Sequence, residues 1–343
     1  MTTCLSDASA NRHIKTYVKD FLDLSGNMTV RNTNDYAWNA YGQVISGPYE
    51  GDNSYWGTSV RMDASGLTMV VGGNRHDGAN TANTDDGAAI VYRYDTTAEL
   101  WYQLGNTITG ETNNEEFAYD VDINHAGTRI MATDAEAIFV NVYDYNSSTN
   151  TWDKHVNLTT ADGIDVDRHT GRISGDGNTI IFGSYFNNSN TGIAYVFRNT
   201  SGTTWTKIGE FTGSHTSAYA GIGVAISYDG NRITFAEKDY NFDADGNSAS
   251  DTGRVTIYDY SGSGTTWNQV GNPIYGRTTS VKLGNSTDLS KDGSIVAVGT
   301  SAGYYAEVYQ YDASVDGSWN QLGTTIRGPT GDEYSDGVLL SHD

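Results

Sequence analysis

The chain has 343 residues, 37% of them apolar and 12% aromatic, which is enough for a packed core and excludes a disordered chain. Its 42 acidic side chains against 20 basic ones give a formal net charge of −22, which excludes nucleic acid and anionic membrane surfaces because their phosphates would be repelled. A single cysteine, Cys4, excludes an internal disulfide, and no apolar run nears the roughly 18 residues of a membrane span.

Residues 1–12 read as an N-terminal arm without the basic and apolar regions of a signal peptide. Forty Gly, three Pro and abundant Thr, Asn, Ser and Tyr point to short strands joined by tight turns. Residues 13–21, 27–32 and 38–46 form three such candidate strands. From there one stretch organises the chain. Trp101-Tyr-Gln-Leu-Gly-Asn-Thr-Ile-Thr-Gly returns from Trp205, Trp267 and Trp319, more loosely from Trp38, and in decayed form from Trp152. The tryptophans are 63, 51, 53, 62 and 52 residues apart.

Each interval holds the same series. An alternating run ends on a turn of the Ser-x-Asp-Gly kind, as in 224–230 and 288–293, where Gly takes positive φ and Asp tolerates it. An apolar strand follows (67–73, 179–183, 294–299), then a loop, then an aromatic and β-branched strand (89–94, 140–145, 254–260) that leads back to Trp. Four antiparallel strands every 50–60 residues describe an all-β chain, a β-propeller of four-stranded blades. A stacked β-helix uses shorter repeats. The last repeat stops at residues 335–343, one strand into a blade, and residues 13–46 supply the missing three strands. The sequence therefore predicts six blades over 13–343, the last closed by both termini so that no sheet edge stays free. A seven-bladed or C-terminally incomplete propeller is the alternative.

These segments resemble the FG-GAP, integrin-α-like propeller repeats: Trp56-Gly57 stands for that family's Phe-Gly, and Val71-Gly72-Gly73, Phe182-Gly183-Ser184 and Val298-Gly299-Thr300 for its Gly-Ala-Pro. The Trp-x-Gln-Leu-Gly variant resembles repeats of marine microbial and large algal virus surface proteins. The resemblance implies a propeller and a surface-displayed role. It also implies a calcium loop between the first two strands of a blade, where this chain has only the short Ser-x-Asp-Gly turn.

Asn241, Asp243 and Asp245, with Gly246 and then Asp251, have the spacing of the first half of a calcium loop, although Thr252 stands where a bidentate Glu belongs. They are the candidate Ca2+ ligands. Glu50, Asp52, Asp77, Asp85, Asp86, Glu111, Glu115, Glu116, Asp332 and Glu333 lie on connections expected at one face and form a candidate acidic binding face. No serine-hydrolase, zinc or phosphate-loop motif is present, so no catalytic residue is assigned. The expectation is a non-enzymatic, extracellular or virion-surface protein that docks to a capsid, fibre, host receptor or glycan. A calcium-dependent adhesin and a carbohydrate-active enzyme using the propeller pocket are the alternatives.

Overall fold

The computed structural model describes residues 41–47, 55–77, 85–136, 139–164, 169–314, 317–327 and 337–341. Within them the chain builds five antiparallel sheets one after another, each a four-strand meander taken in sequence order. Blade one has β1 (Ser59–Met62), β2 (Thr68–Gly73), β3 (Ala88–Asp95) and β4 (Leu100–Gln103), with β5 (Ile108–Thr109) returning to β3. Blade two has β6 (Val121–Ile123), β7 (Arg129–Thr133), β8 (Val140–Asn146) and β9 (Thr151–Leu158). Blade three has β10 (His169–Ile173), β11 (Thr179–Ser184), β12 (Ile193–Ser201) and β13 (Thr204–Thr212). Blade four has β14 (Ala220–Ile226), β15 (Arg232–Glu237), β16 (Arg254–Tyr260), β17 (Trp267–Gln269) and β18 (Ile274–Tyr275). Blade five has β19 (Leu283–Leu289), β20 (Ile295–Thr300), β21 (Tyr305–Asp312), β22 (Ser318–Gln321) and β23 (Ile326–Arg327). The chain is a β-propeller.

The core lies between blades. Val70, Ala89 and Val91 of blade one pack with Val121, Ile130, Tyr143 and Trp152 of blade two, and the same layering joins blade two to three and four to five. Second strands such as Thr179–Ser184 are buried along their whole length, which is why they read as continuous apolar runs.

The structure explains the recurrent tryptophan motif. The outer strand bulges at the residue three places after Trp: Lys207 pairs with Phe197 and Gly209 with Val196, leaving Ile208 as the extra residue. The bulge turns a carbonyl outward, and the indole of the next blade donates to it. Trp152 Nε1 reaches Leu104 O at 2.8 Å, Trp267 Nε1 reaches Ile208 O at 2.7 Å, and Trp319 Nε1 reaches Val270 O at 2.9 Å. The glycine that follows is required by closeness. A Cβ on Gly105 would stand 2.7 Å from Trp152 Cδ1, and one on Gly209 would stand 2.7 Å from Trp267 Nε1. In the decayed repeat His155 and Val156 replace the apolar–Gly pair, and Trp205 Nε1 finds no acceptor among the described residues.

Both flanks of the described ring continue the pattern. Trp101 Nε1 donates to Tyr41 O at 2.9 Å, so residues 41–47 stand before blade one as the end of an outer strand does elsewhere. At the other flank, Val338 N donates to Ser286 Oγ and Leu340 N to Asp288 Oδ2, placing 337–341 beside β19. The remainder of the sixth blade expected from 13–46 and 335–343, and the arm 1–12, lie outside the described residues.

Candidate functional site

The first strands of the blades surround the propeller axis and carry the turn chemistry read from the sequence. Two residues before each turn's Asp, Asn or Ser stands one side chain in register: Arg61, Asp122, Arg172, Ala225 and Asp288. These inner strands expose an unpaired backbone edge to the axis, and the preceding blade caps it. Asp120 accepts from Gly171 N at 3.1 Å, Asp122 from Ile173 N at 2.9 Å, and Ser59 Oγ from Val121 N at 3.0 Å.

Two guanidinium groups lie among these carboxylates. Arg172 Nη1 donates to Asp120 Oδ2 at 2.8 Å, and Arg61 Nη2 stands 4.0 Å from Asp120 Oδ1, which also accepts from Ser59 Oγ at 2.6 Å. Asp288 of blade five favours the charged forms of Arg61 in blade one and Arg172 in blade three. Arg61 Nε and Arg172 Nε are buried donors without an acceptor among the described residues.

The two aspartates of β6 and its lead-in are perturbed in opposite directions. Burial works against the Asp120 carboxylate, but Arg172, Arg61, the Ser59 hydroxyl and the Gly171 amide outweigh it and hold the group below the ordinary carboxyl value. For Asp122 burial dominates the same two cations and the amides of Ile173 and Ile123, and the group is pushed up. Burial and the neighbouring Arg172 charge lower Arg61, whereas Asp120, Asp122 and Asp288 overcome the effect of burial on Arg172 and raise it. A pair of carboxyls driven apart beside two cations can divide proton transfer from charge stabilisation.

The sequence did not single out this cluster. Its signal was a charged residue two places before the hairpin turn in four of the five described blades.

The residues singled out from sequence are placed differently. Asp243 accepts from the backbone N–H groups of Asp245 and Asn247 and from the Asn247 amide, Asn241 Oδ1 takes Asp251 N at 3.0 Å, and Asp251 lies 3.7 Å from Lys282 Nζ. Among the described residues no three His, Cys, Asp or Glu side chains gather closely enough to hold a metal ion. The expected acidic face is also thinner than its residue roll. Asp86, Glu115 and Glu116 are buried: Glu115 accepts from the N–H groups of Glu111 and Thr112, and Glu116 pairs with Arg75 and Asn74. Glu115 is buried because it caps loop backbone that would otherwise be unsatisfied, and Glu116 because it meets a cation and an amide there. Asp77 accepts from Asp85 N, and Glu111 is exposed and paired with Lys154. Glu50, Asp52, Asp332 and Glu333 lie outside the described residues.

No family model matches the chain and no curated protein is similar to it, so the FG-GAP resemblance rests on the quoted residues alone. Among solved structures it is similar to a functionally unknown protein from Desulfotomaculum acetoxidans, at 16% identity and a TM-score of 0.53, over 80% of this chain and 71% of that one. A protein from Lactobacillus plantarum matches at 13% identity and a TM-score of 0.53, over 79% and 70%. The periplasmic gluconolactonase of Pseudomonas aeruginosa matches at 13% identity and a TM-score of 0.45, over 84% and 89%. At such identities the likeness is one of fold and carries no mechanism across. It does correct the expectation of a non-enzymatic, virion-surface protein. A gluconolactonase occurs among the similar structures, and virion, capsid and adhesion find no support in them.

Proposed function

We propose that the axial cluster is the working site of this propeller and that it acts on a small ester or lactone. The observation that carries the reading is the pairing of Arg172 and Arg61 with Asp120, two residues from the buried Asp122, at the meeting point of blades one, two and three. In such a reaction water adds to the carbonyl carbon and releases a proton to solvent, the carbon–oxygen bond of the ester breaks, the leaving oxygen takes a proton from the acid, and that acid is reprotonated from solvent. Guanidinium N–H groups in a site of low water content stabilise the oxygen that becomes negative. Asp122, pushed up by burial, keeps its proton at higher pH than an ordinary carboxyl and serves as the proton donor. Asp120, held down beside Arg172, stays ionised and fixes that guanidinium in place.

The test is acid release from glucono-delta-lactone and simple aliphatic lactones, followed in a pH-stat. Turnover above the uncatalysed rate that falls at least about tenfold in Arg172→Met, the loss of one oxyanion donor, supports the reading. Absence of turnover across the panel, or full activity in Arg172→Met, overturns it.

A further inference from the structure

The two ends of the axis differ, and the difference bears on what reaches the cluster. At one end the hairpin tips after the inner strands are joined into a collar. Ala64 N donates to His125 O at 3.3 Å, His125 N to Gly175 O at 3.0 Å, Asp176 N to Tyr228 O at 2.9 Å, and Tyr228 N to Lys291 O at 2.9 Å. Blades one to five are thus linked tip to tip. The rings of His125 and Tyr228 meet over Gly175, with centroids 4.9 Å apart, and a Cβ on Gly175 would stand 2.3 Å from Tyr228 Cδ2.

At the other end, where the inner strands begin, an aromatic arc crosses blades two to four. Tyr119 Oη lies 3.1 Å from Tyr185 Oη, Tyr185 stacks beside Phe186 with centroids 4.7 Å apart, and Phe186 meets Tyr219 edge-on at 5.7 Å. Lys238 Nζ lies 4.9 Å from the Tyr219 ring centre. Tyr119 immediately precedes Asp120 in the lead-in to β6, so the arc and the charged cluster draw on the same segment.

We infer that ligands approach from the arc end and that Tyr119, Tyr185, Phe186 and Tyr219 select a ring-shaped, polyhydroxylated molecule, a sugar acid or its lactone. The inference rests on the axial cluster being the working site. Aromatic faces take the C–H side of a sugar ring, phenol hydroxyls bond its hydroxyls, and the guanidinium groups take its carboxyl or carbonyl oxygen.

Calorimetric titration of the full chain with glucuronate and with acetate tests this, using wild type, Tyr119→Phe/Tyr185→Phe and Arg172→Met. Expected are weaker glucuronate binding by about five- to tenfold in the double phenylalanine variant, the loss of one or two hydrogen bonds, with acetate binding unchanged, and weaker binding of both in Arg172→Met. Equal glucuronate affinity in wild type and the phenylalanine variant overturns the arc as selector while leaving the cluster standing. Binding of neither probe, or binding indifferent to Arg172→Met, overturns the cluster and the inference with it.

Discussion

Replacing Gly105 with alanine probes the contact that recurs from blade to blade. Two costs combine there. Gly105 has φ +79°, a left-handed conformation that costs a residue with a Cβ about 1–2 kcal/mol. The new methyl would also stand 2.7 Å from Trp152 Cδ1 and 3.0 Å from Nε1, and forcing a buried indole aside costs about 1–3 kcal/mol. Gly105→Ala should therefore lose about 2–5 kcal/mol, the sum of those two terms. Two companions separate them. Gly202 has φ +52° and nothing within 4 Å of its Cβ position, so Gly202→Ala reports strain alone, about 1–2 kcal/mol. Gly209 is not left-handed but its Cβ would meet Trp267 Nε1 at 2.7 Å, so Gly209→Ala reports the clash alone, about 1–3 kcal/mol. Urea unfolding followed by tryptophan fluorescence reads all three. A Gly105→Ala loss no larger than that of Gly202→Ala would refute the tight seating of Trp152 and with it the physical account of the motif.

Three further outcomes follow from particular contacts. Trp152→Phe leaves the Leu104 carbonyl without its indole donor and should cost about 1 kcal/mol more than Trp205→Phe, since the Trp205 indole has no acceptor among the described residues; paired urea curves decide it. The pH dependence of Asp120 and Asp122 should be opposite. Asp120 is lowered by folding, so its contribution is present above the unfolded carboxyl value of about 3.9 and lost as pH falls through the folded one; the deficit of Asp120→Asn should shrink on acidification. Asp122 is raised, so its contribution is complete below about 3.9 and lost as pH rises through the folded value; the deficit of Asp122→Asn should shrink towards neutral pH, as measured by stability curves from pH 3 to 7. Asp243→Ala removes an acceptor for Asp245 and Asn247 in an exposed loop and should speed amide exchange locally over 241–251, by about the fivefold that one weak hydrogen bond allows, equally with calcium and with chelator. Slower exchange in calcium than in chelator would instead reveal an ion in that loop.

The repeat unit was legible because each strand carries its own signal. The Ser-x-Asp-Gly turns, the apolar second strands and the Trp-led outer strands fall where the sequence places them, in the order it gives. The reason for Leu-Gly was not legible, because a bulged carbonyl and the indole that takes it are about 50 residues apart, as Leu104 and Trp152 are, and only the sheet brings them together. The axial cluster escaped for the same cause: Arg61, Asp120 and Arg172 are far apart in sequence and meet only where three blades do. Conversely, Glu115 and Glu116 look like surface acids in sequence. Burial of an acid that caps its own loop leaves no compositional trace.

The clasp between bulge and indole runs in one direction wherever it forms: blades one, three and four each offer a carbonyl forward, and the next blade inserts its ring backward. A blade removed from the middle would strand an open acceptor on one neighbour and a naked indole on the other. Individual blades are thus poor candidates for independent units, and shortening or lengthening this chain by whole repeats should succeed only where the cut keeps each Trp with the Leu-Gly seat of the blade before it.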